Sequence, residues 1–289
     1  MQICRTKQEI RALTRRWRAE GRSIGFAPTM GYLHEGHLAL VRRARAENDA
    51  VVVSIFVNPT QFGPNEDFDS YPRDPERDLL LLRAEGADAV FLPDAAEMYA
   101  PHAQTFVEAE RLSRILIGRL RPGHFRGVAT VVTKLFNIVA PDAAYFGEKD
   151  YQQLTVIRRM VADLDVPVRI VGVPTVREPD GLAMSSRNVR LSPEDRAAAP
   201  VLCRALDAAE ARAARGPVSV EALRRLIRET LEASPRGRDP RVDVRAADDL
   251  SPLRGALRRP AVALISMRFG DVLLIDQRVI RPADQENAP

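Results

Sequence analysis

The sequence predicts an α/β protein: a parallel sheet with helices on both faces, followed by a smaller α+β domain. Two observations carry this. The first two thirds of the chain alternate short, β-branched apolar runs with segments of helical period. Beyond about residue 191 the order changes to long helices first and strand-like runs afterwards.

Residues 23–27 form a short apolar run that ends at Pro28 and reads as a buried strand. In residues 37–47, Leu38, Val41 and Ala44 recur at helical spacing with arginines between them. Residues 50–57 are β-branched and stop at Asn58-Pro59, the mark of a strand and a turn. The polar stretch 60–74 is long for a loop inside a compact domain, and such loops are more often functional than idle. A helix is predicted over 75–85, a strand over 89–92, a helix over 128–139, a strand over 143–146, a helix over 152–164 and a strand over 168–173. Ser192-Pro193-Glu194-Asp195 then reads as a helix start, with serine as cap, proline in the first turn and acids behind it. Helices are expected over 193–215 and 218–233, a linker over 234–240, and strands over 241–245, 261–269 and 271–275. The domains are placed at 1–180 and 181–289, with the change of pattern between residues 175 and 190.

The composition is that of an ordinary globular chain, 289 residues with 45% hydrophobic and 28% charged. A chain of this length buries about three quarters of its unfolded surface and needs no disulfide or metal to fold. Cys4 and Cys203 lie far apart and read as reduced thiols of a cytoplasmic protein. No apolar run approaches the ~20 residues of a membrane span. Met1-Gln2-Ile3-Cys4-Arg5 lacks the apolar core of a secretory signal. The net charge of +4 is dispersed: Arg212, Arg215, Arg224, Arg225 and Arg228 alternate with acids and alanines, as on solvated helix faces. With aromatics at 6%, this pattern speaks against nucleic acid as a partner.

Four segments carry chemistry. Pro28-Thr29-Met30-Gly31-Tyr32-Leu33-His34-Glu35-Gly36-His37 joins the first predicted strand to a helix. Its glycines allow close backbone approach, the helix start favours anions, and two imidazoles can contact phosphate. The histidine spacing is not that of a zinc site, and no third ligand presents itself. Asn58-Pro59-Thr60-Gln61-Phe62-Gly63, continuing through Asp67 to Tyr71-Pro72-Arg73, follows the next strand. Gln61 offers a donor and an acceptor, which suits a hydroxyl-bearing substrate. In Phe146-Gly147-Glu148-Lys149-Asp150-Tyr151-Gln152-Gln153, Lys149 can neutralise a phosphate and Asp150 can hold ribose hydroxyls. Met184-Ser185-Ser186-Arg187-Asn188 sets two hydroxyls and a guanidinium in a row, a grip for phosphate oxygens. It is similar to the K-M-S-K-S loop of class I aminoacyl-tRNA synthetases. The first three segments are expected at one sheet edge and the fourth at the domain junction.

With P-T-M-G-x-L-H-x-G-H, N-P-x-Q-F, Y-P-R, R-P-G-H-F-x-G-V, F-G-E-K-D-Y-Q-Q and D-G-L-A-M-S-S-R-N in this order, the chain resembles the pantothenate synthetase family over about residues 1–275. The resemblance implies a Rossmann-like N-terminal domain, a C-terminal lid and a homodimer. It implies joining of pantoate to β-alanine through a pantoyl-adenylate, with ATP as substrate together with Mg²⁺, and with AMP and pyrophosphate released. By position, Met30, Gly31, Tyr32, Leu33, His34, Glu35, Gly36 and His37 would line the ATP site. Gly147, Glu148, Lys149, Asp150, Val176, Met184, Ser185, Ser186 and Arg187 would complete it. His37, His34 and Lys149 would be catalytic, with His37 the proton donor. Gln61 and Gln153 would hold pantoate, and Gln61 would also meet β-alanine. In the run Asp74-Pro75-Glu76-Arg77-Asp78, Asp78 is the candidate for magnesium, and Glu35 is read as solvent-facing. Two other readings share these motifs: a related H-x-G-H nucleotidyltransferase, and a nucleotide-binding protein without catalysis.

Overall fold

The chain opens with β1 (Gln2–Cys4) and α1 (Lys7–Ala19). The helix starts where it does because Thr6 accepts from the Glu9 amide while the Glu9 carboxylate accepts from the Thr6 amide. The computed structural model describes residues 1–64, 66 and 68–283. They fall into two units, Met1–Gly147 with Gln152–Pro174, and Glu148–Tyr151 with Thr175 onward.

In the first unit, β2 (Ile24–Thr29), α2 (Glu35–Glu47), β3 (Ala50–Ile55), α3 (Pro75–Ala84) and β4 (Ala89–Phe91) follow in turn. The short helices α4 (Ala95–Met98), α5 (Glu110–Ser113) and α6 (Ile117–Leu120) precede α7 (His124–Val139). Then come β5 (Ala143–Gly147), α8 (Tyr151–Asp163) and β6 (Arg169–Val173). The six strands form one parallel sheet in the order β1-β4-β3-β2-β5-β6. From β2 the chain builds outward to β3 and β4 on one side, then returns to place β5 and β6 on the other. That reversal is the switch point where open α/β sheets place their ligands, at the carboxyl ends of the strands.

One face of the sheet is filled by Ala27, Val51, Val53, Val90 and Tyr145 against Leu38, Val41 and Ala44 of α2 and Leu82 of α3. Phe26, fully buried in β2, packs edge-on to Phe136 of α7 at 6.4 Å between centroids. The end of α2 is tied to the sheet by polar groups. Asn48 donates to the Tyr145 hydroxyl at 2.7 Å, and that hydroxyl donates to Glu47 at 2.9 Å. Arg169 reaches the same Glu47 carboxylate at 2.9 Å, and Arg43 does so from one turn back. Gly25 makes room for this, since a β-carbon there would stand 2.6 Å from the Asn48 amide nitrogen.

Among the differences from the sequence reading, three have a direct physical cause. Pro28 lies inside β2 rather than ending it. The ladder between β2 and β5 pairs Gly25 and Phe26 and goes no further. Thr29 turns its carbonyl to β3, accepting from Phe56 at 3.0 Å, so Pro28 turns toward the unpaired side and its missing N–H breaks no ladder bond. The helix expected over 193–215 is two helices, α9 (Pro193–Ala198) and α10 (Val201–Ala214), because Pro200 has no N–H with which to continue the first. The linker expected over 234–240 is largely strand: β7 (Gly237–Ala246) absorbs Asp239 and Pro240 as an irregularity between Arg238 and Arg241.

The second unit adds α11 (Val220–Glu232), β8 (Ala261–Phe269) and β9 (Val272–Ile280). The order β7-β8-β9 is antiparallel throughout. Leu202, Leu206, Leu223, Ile227 and Leu231 of its helices share a core with Val244, Ala263, Ile265 and Met267. No helix among the described residues is long and apolar enough to cross a membrane.

The Glu47 carboxyl is held down to about 2, chiefly by the Arg169 hydrogen bond and then by Arg43 and Tyr145. A depressed carboxyl adds stability above its unfolded value of about 4.3 and loses it as pH falls through the folded value. The urea midpoint should therefore decline between about pH 4.5 and 2, and Glu47→Gln should flatten that part of the profile.

Candidate active site

The turn after β2 is held in an unusual shape. Gly31 has φ +84, and a β-carbon there would stand 2.9 Å from Ile55 and 3.0 Å from Asp78. Tyr32 follows with φ 50, a left-handed value uncommon for a residue with a side chain. Two carboxylate bonds stabilise it: Tyr32 N–H donates to Asp78 Oδ2 and Leu33 N–H to Asp78 Oδ1, each at 2.7 Å. Arg77, the residue before, donates to the Leu33 carbonyl at 3.0 Å and lies over the Tyr32 ring. Asp78 is 1% exposed, and burial pushes its carboxyl up against the pull of the two amides. Both oxygens of the magnesium candidate are thus engaged by backbone.

His34 caps α2. Its Nδ1 accepts from the Gly36 amide at 3.2 Å, and His37 Nδ1 accepts from the His34 amide at 3.3 Å. A backbone N–H can only donate, so each neutral ring carries its proton on Nε2. The rings lie 4.1 Å apart between centroids at the positive end of a 13-residue helix. Glu35 is half-exposed and paired with Arg42, which also binds Glu85 at 2.6 Å. The Arg42 hydrogen bond holds the Glu35 carboxyl below the usual range.

Gln61 ends a short 3-10 turn, Pro59–Gln61, beyond β3. It is buried and meets the first loop directly, its Nε2 donating to the Met30 sulfur at 2.9 Å. Its Oε1 accepts from Asn58 Nδ2 at 3.2 Å. Asn58, read in the sequence as a stop signal, is the organiser of this loop. It is 1% exposed, donates also to the Gly127 carbonyl at 3.2 Å, and accepts from Tyr99 at 2.8 Å and from Thr60 Oγ1 at 3.0 Å. Further along, Phe62 packs edge-on to Phe68 and Tyr71. Arg73 lies over Phe68 and donates to the carbonyls of Phe68, Asp69 and Tyr71. Asp67 lies outside the described residues. β2, β3 and β5 are parallel neighbours, so Thr29, Ile55 and Gly147 end on one edge. Gln153 is half-buried in the first turn of α8. Its neighbour Gln152 is spent on structure, donating to the Leu112 and Ile115 carbonyls and accepting from Ile117.

The remaining candidates belong to the second unit. Glu148–Asp150 is a 3-10 turn with Glu148 and Lys149 half-buried and Asp150 exposed; Tyr151 anchors it by donating to the Ala247 carbonyl at 2.8 Å. Val176 and Met184 close a tight loop, the Met184 amide donating to the Val176 carbonyl at 3.0 Å. Arg177, inside it, makes a bidentate pair with buried Asp276 of β9 at 2.7 and 3.0 Å. Ser185 Oγ accepts from the Arg187 amide at 3.3 Å, Ser186 is buried, and Asn188 donates to the Ala183 carbonyl at 3.1 Å.

A parallel sheet with its strand order reversed beside an H-x-G-H loop defines a Rossmann-like α/β enzyme. The model of the pantoate–β-alanine ligase family matches residues 2–279. The pantothenate synthetase of Chloroflexus aggregans is 56% identical over 276 residues, 96% of this chain and 98% of that one. The Agrobacterium fabrum pantothenate synthetase is 53% identical over the whole of both chains. The crystal structure of the Thermus thermophilus pantothenate synthetase matches with a TM-score of 0.92 at 51% identity, covering 98% of this chain and 100% of that one. The Francisella tularensis pantoate–β-alanine ligase, solved with β,γ-ATP and β-alanine, matches at 33% identity and a TM-score of 0.77, covering 96% and 97%. The chain belongs to the pantoate–β-alanine ligase family and is a ligase.

Asp78→Asn leaves one acceptor for two backbone donors and turns an amide N–H₂ against the second. We expect a loss of about 1–3 kcal/mol in urea unfolding together with at least about tenfold lower turnover, since the histidine loop loses its brace.

Proposed function

We propose that the chain joins pantoate to β-alanine at the expense of ATP, by way of a pantoyl-adenylate, with release of AMP and pyrophosphate. The observation that carries the choice of acid is Gln61 of the N-P-x-Q-F turn, set directly against Met30 of the histidine loop; the phosphoryl chemistry rests on the imidazole pair at the start of α2. Each Nδ1 is occupied by a backbone amide, so each neutral ring holds its proton on Nε2. Such rings donate to phosphoryl oxygens without needing to reorient as charge develops.

The pantoate carboxylate attacks the α-phosphorus in line. His34, His37 and Lys149 offset the growing charge, and His37 donates toward the leaving pyrophosphate. Met30, Gly31, Tyr32, Leu33, Glu35, Gly36, Gly147, Glu148, Asp150 and Val176 line the nucleotide, and Met184, Ser185, Ser186 and Arg187 hold its phosphates. Gln61 and Gln153 hold pantoate by its polar groups, and Gln61 also meets β-alanine. The neutral amine of β-alanine then attacks the acyl carbon; its proton leaves to a base or water, and AMP departs. Magnesium enters as part of the substrate, MgATP. Among the described residues no three His, Cys, Asp or Glu form a group that could hold an ion, and both Asp78 oxygens accept amides. Phosphate and water oxygens supply most of the ion's shell, with Asp78, whose oxygens each keep a further lone pair, as the side-chain candidate. We also propose a cytoplasmic homodimer, in keeping with two buried free thiols and the family resemblance; light scattering should return twice the mass of the chain.

The test is AMP release. It should require pantoate and β-alanine together, whereas pantoate alone should yield at most one equivalent of pyrophosphate per site. A nucleotide-bearing product in place of AMP would instead identify a nucleotidyltransferase. His37→Ala and Lys149→Ala should each lower turnover by at least about 10²-fold with the fold retained, checked by circular dichroism beside the assay.

A further inference from the structure

The R-P-G-H motif, Arg121 to His124, has no part in the reaction proposed for this chain. Arg121, at the end of α6, meets Glu66 in a bidentate ion pair, Nε to Oε1 at 2.8 Å and Nη2 to Oε2 at 2.5 Å. Both side chains are largely enclosed, 21% and 23% exposed. The same guanidinium lies over the Phe62 ring at 6.0 Å and reaches His124 Nε2 through Nη1 at 3.4 Å. On the other side of that ring, His124 Nδ1 stands 2.9 Å from the backbone carbonyl of Gln61.

These two contacts select a tautomer of the neutral ring. A carbonyl only accepts and a guanidinium only donates, so one form satisfies both: neutral, with the proton on Nδ1 and the lone pair on Nε2. This is the opposite tautomer to the one His34 and His37 hold.

The group at the end of the chain of contacts is Gln61. Its side chain is held by a thioether and by one amide bond at 3.2 Å, both weak. The place of its amide is therefore set by where its backbone lies. Beside His124 on the same helix, Gly127 has no side chain because a β-carbon would sit 2.4 Å from the Thr60 carbonyl and 2.7 Å from Gln61 Cα. Glycine lets α7 press against the turn, and His124 fixes the turn's last carbonyl.

We propose that Glu66, Arg121 and His124 are positioning residues that set Gln61 for the acid substrate, acting through its backbone carbonyl and not by touching substrate. This rests on the reading that Gln61 binds pantoate.

The test is steady-state kinetics of the full chain, with KM for pantoate and for ATP measured separately. Glu66→Gln and Arg121→Met should raise the pantoate KM by roughly tenfold and change the ATP KM less than about twofold, the mark of lost binding at one substrate. His124→Ala should behave like Arg121→Met. His124→Asn, which places an amide N–H where Nδ1–H stood, should restore the pantoate KM to within about threefold of the parent. In a Gln61→Ala background, Arg121→Met should add no further increase, because coupled residues are not additive. Equal shifts in both KM values, or none in Glu66→Gln and Arg121→Met, would overturn the proposal. So would a His124→Asn protein no better than His124→Ala. Should Arg121→Met fail to fold, the near-isosteric Glu66→Gln carries the test. If Gln61→Ala leaves the pantoate KM unmoved, the role of Gln61 itself fails; if it raises the KM and the other variants do not, the relay alone fails.

Discussion

Asp78 is the constraint on which the histidine loop depends. A left-handed Tyr32 beside a left-handed Gly31 is a conformation that isolated chains visit rarely. It persists because one buried carboxylate accepts two consecutive amides, and because Arg77 secures the next carbonyl and covers the Tyr32 ring. The shape then delivers the chain to His34 as a cap, and capping decides which nitrogen of each imidazole bears the proton. Strain, cap and tautomer form one causal sequence that begins on a neighbouring helix.

The second loop works by a different economy. Its shape comes from side chains of other elements and not from local strain. Asn58 spends every polar atom on the turn, on Tyr99 and on the start of α7. The aromatic cluster of Phe62, Phe68 and Tyr71 with Arg73 closes the remainder. Gln61 then meets Met30, so the two loops share one non-covalent seam at the mouth of the sheet. In the second unit, the buried Arg177–Asp276 pair does comparable service, tying the base of the Ser-Ser-Arg turn to β9.

What could be read in advance was whatever depends on neighbours in sequence. Period separated α2 from β3, and Ser192 with its acids marked the start of α9. The capping box of Thr6 and Glu9 was equally local and would have disclosed α1. The rest needed the fold. Pro28 ends a strand only if the side it faces is paired, and that is settled by a partner more than a hundred residues away. The resemblance points to Asp78 for magnesium, but its bonds to the amides of Tyr32 and Leu33, 46 and 45 residues earlier, leave no local mark in the sequence. Asn58 looked like punctuation because its partners Tyr99 and Gly127 belong to elements with no periodic link to it.

The central position of β2 also governs when this crevice can come into being. One flank of β2 is closed by β3 almost at once, but the other waits for β5, and the bond that the Ile24 amide donates to the Asp142 carboxylate spans 118 residues. Loop closure over that distance is entropically slow compared with the neighbouring βαβ step. On the ribosome, a chain that has emerged as far as β4 possesses the histidines and the glutamine yet has no second wall beside them. Synthesis itself thus keeps the reactive crevice unformed until nearly the whole first unit has been made.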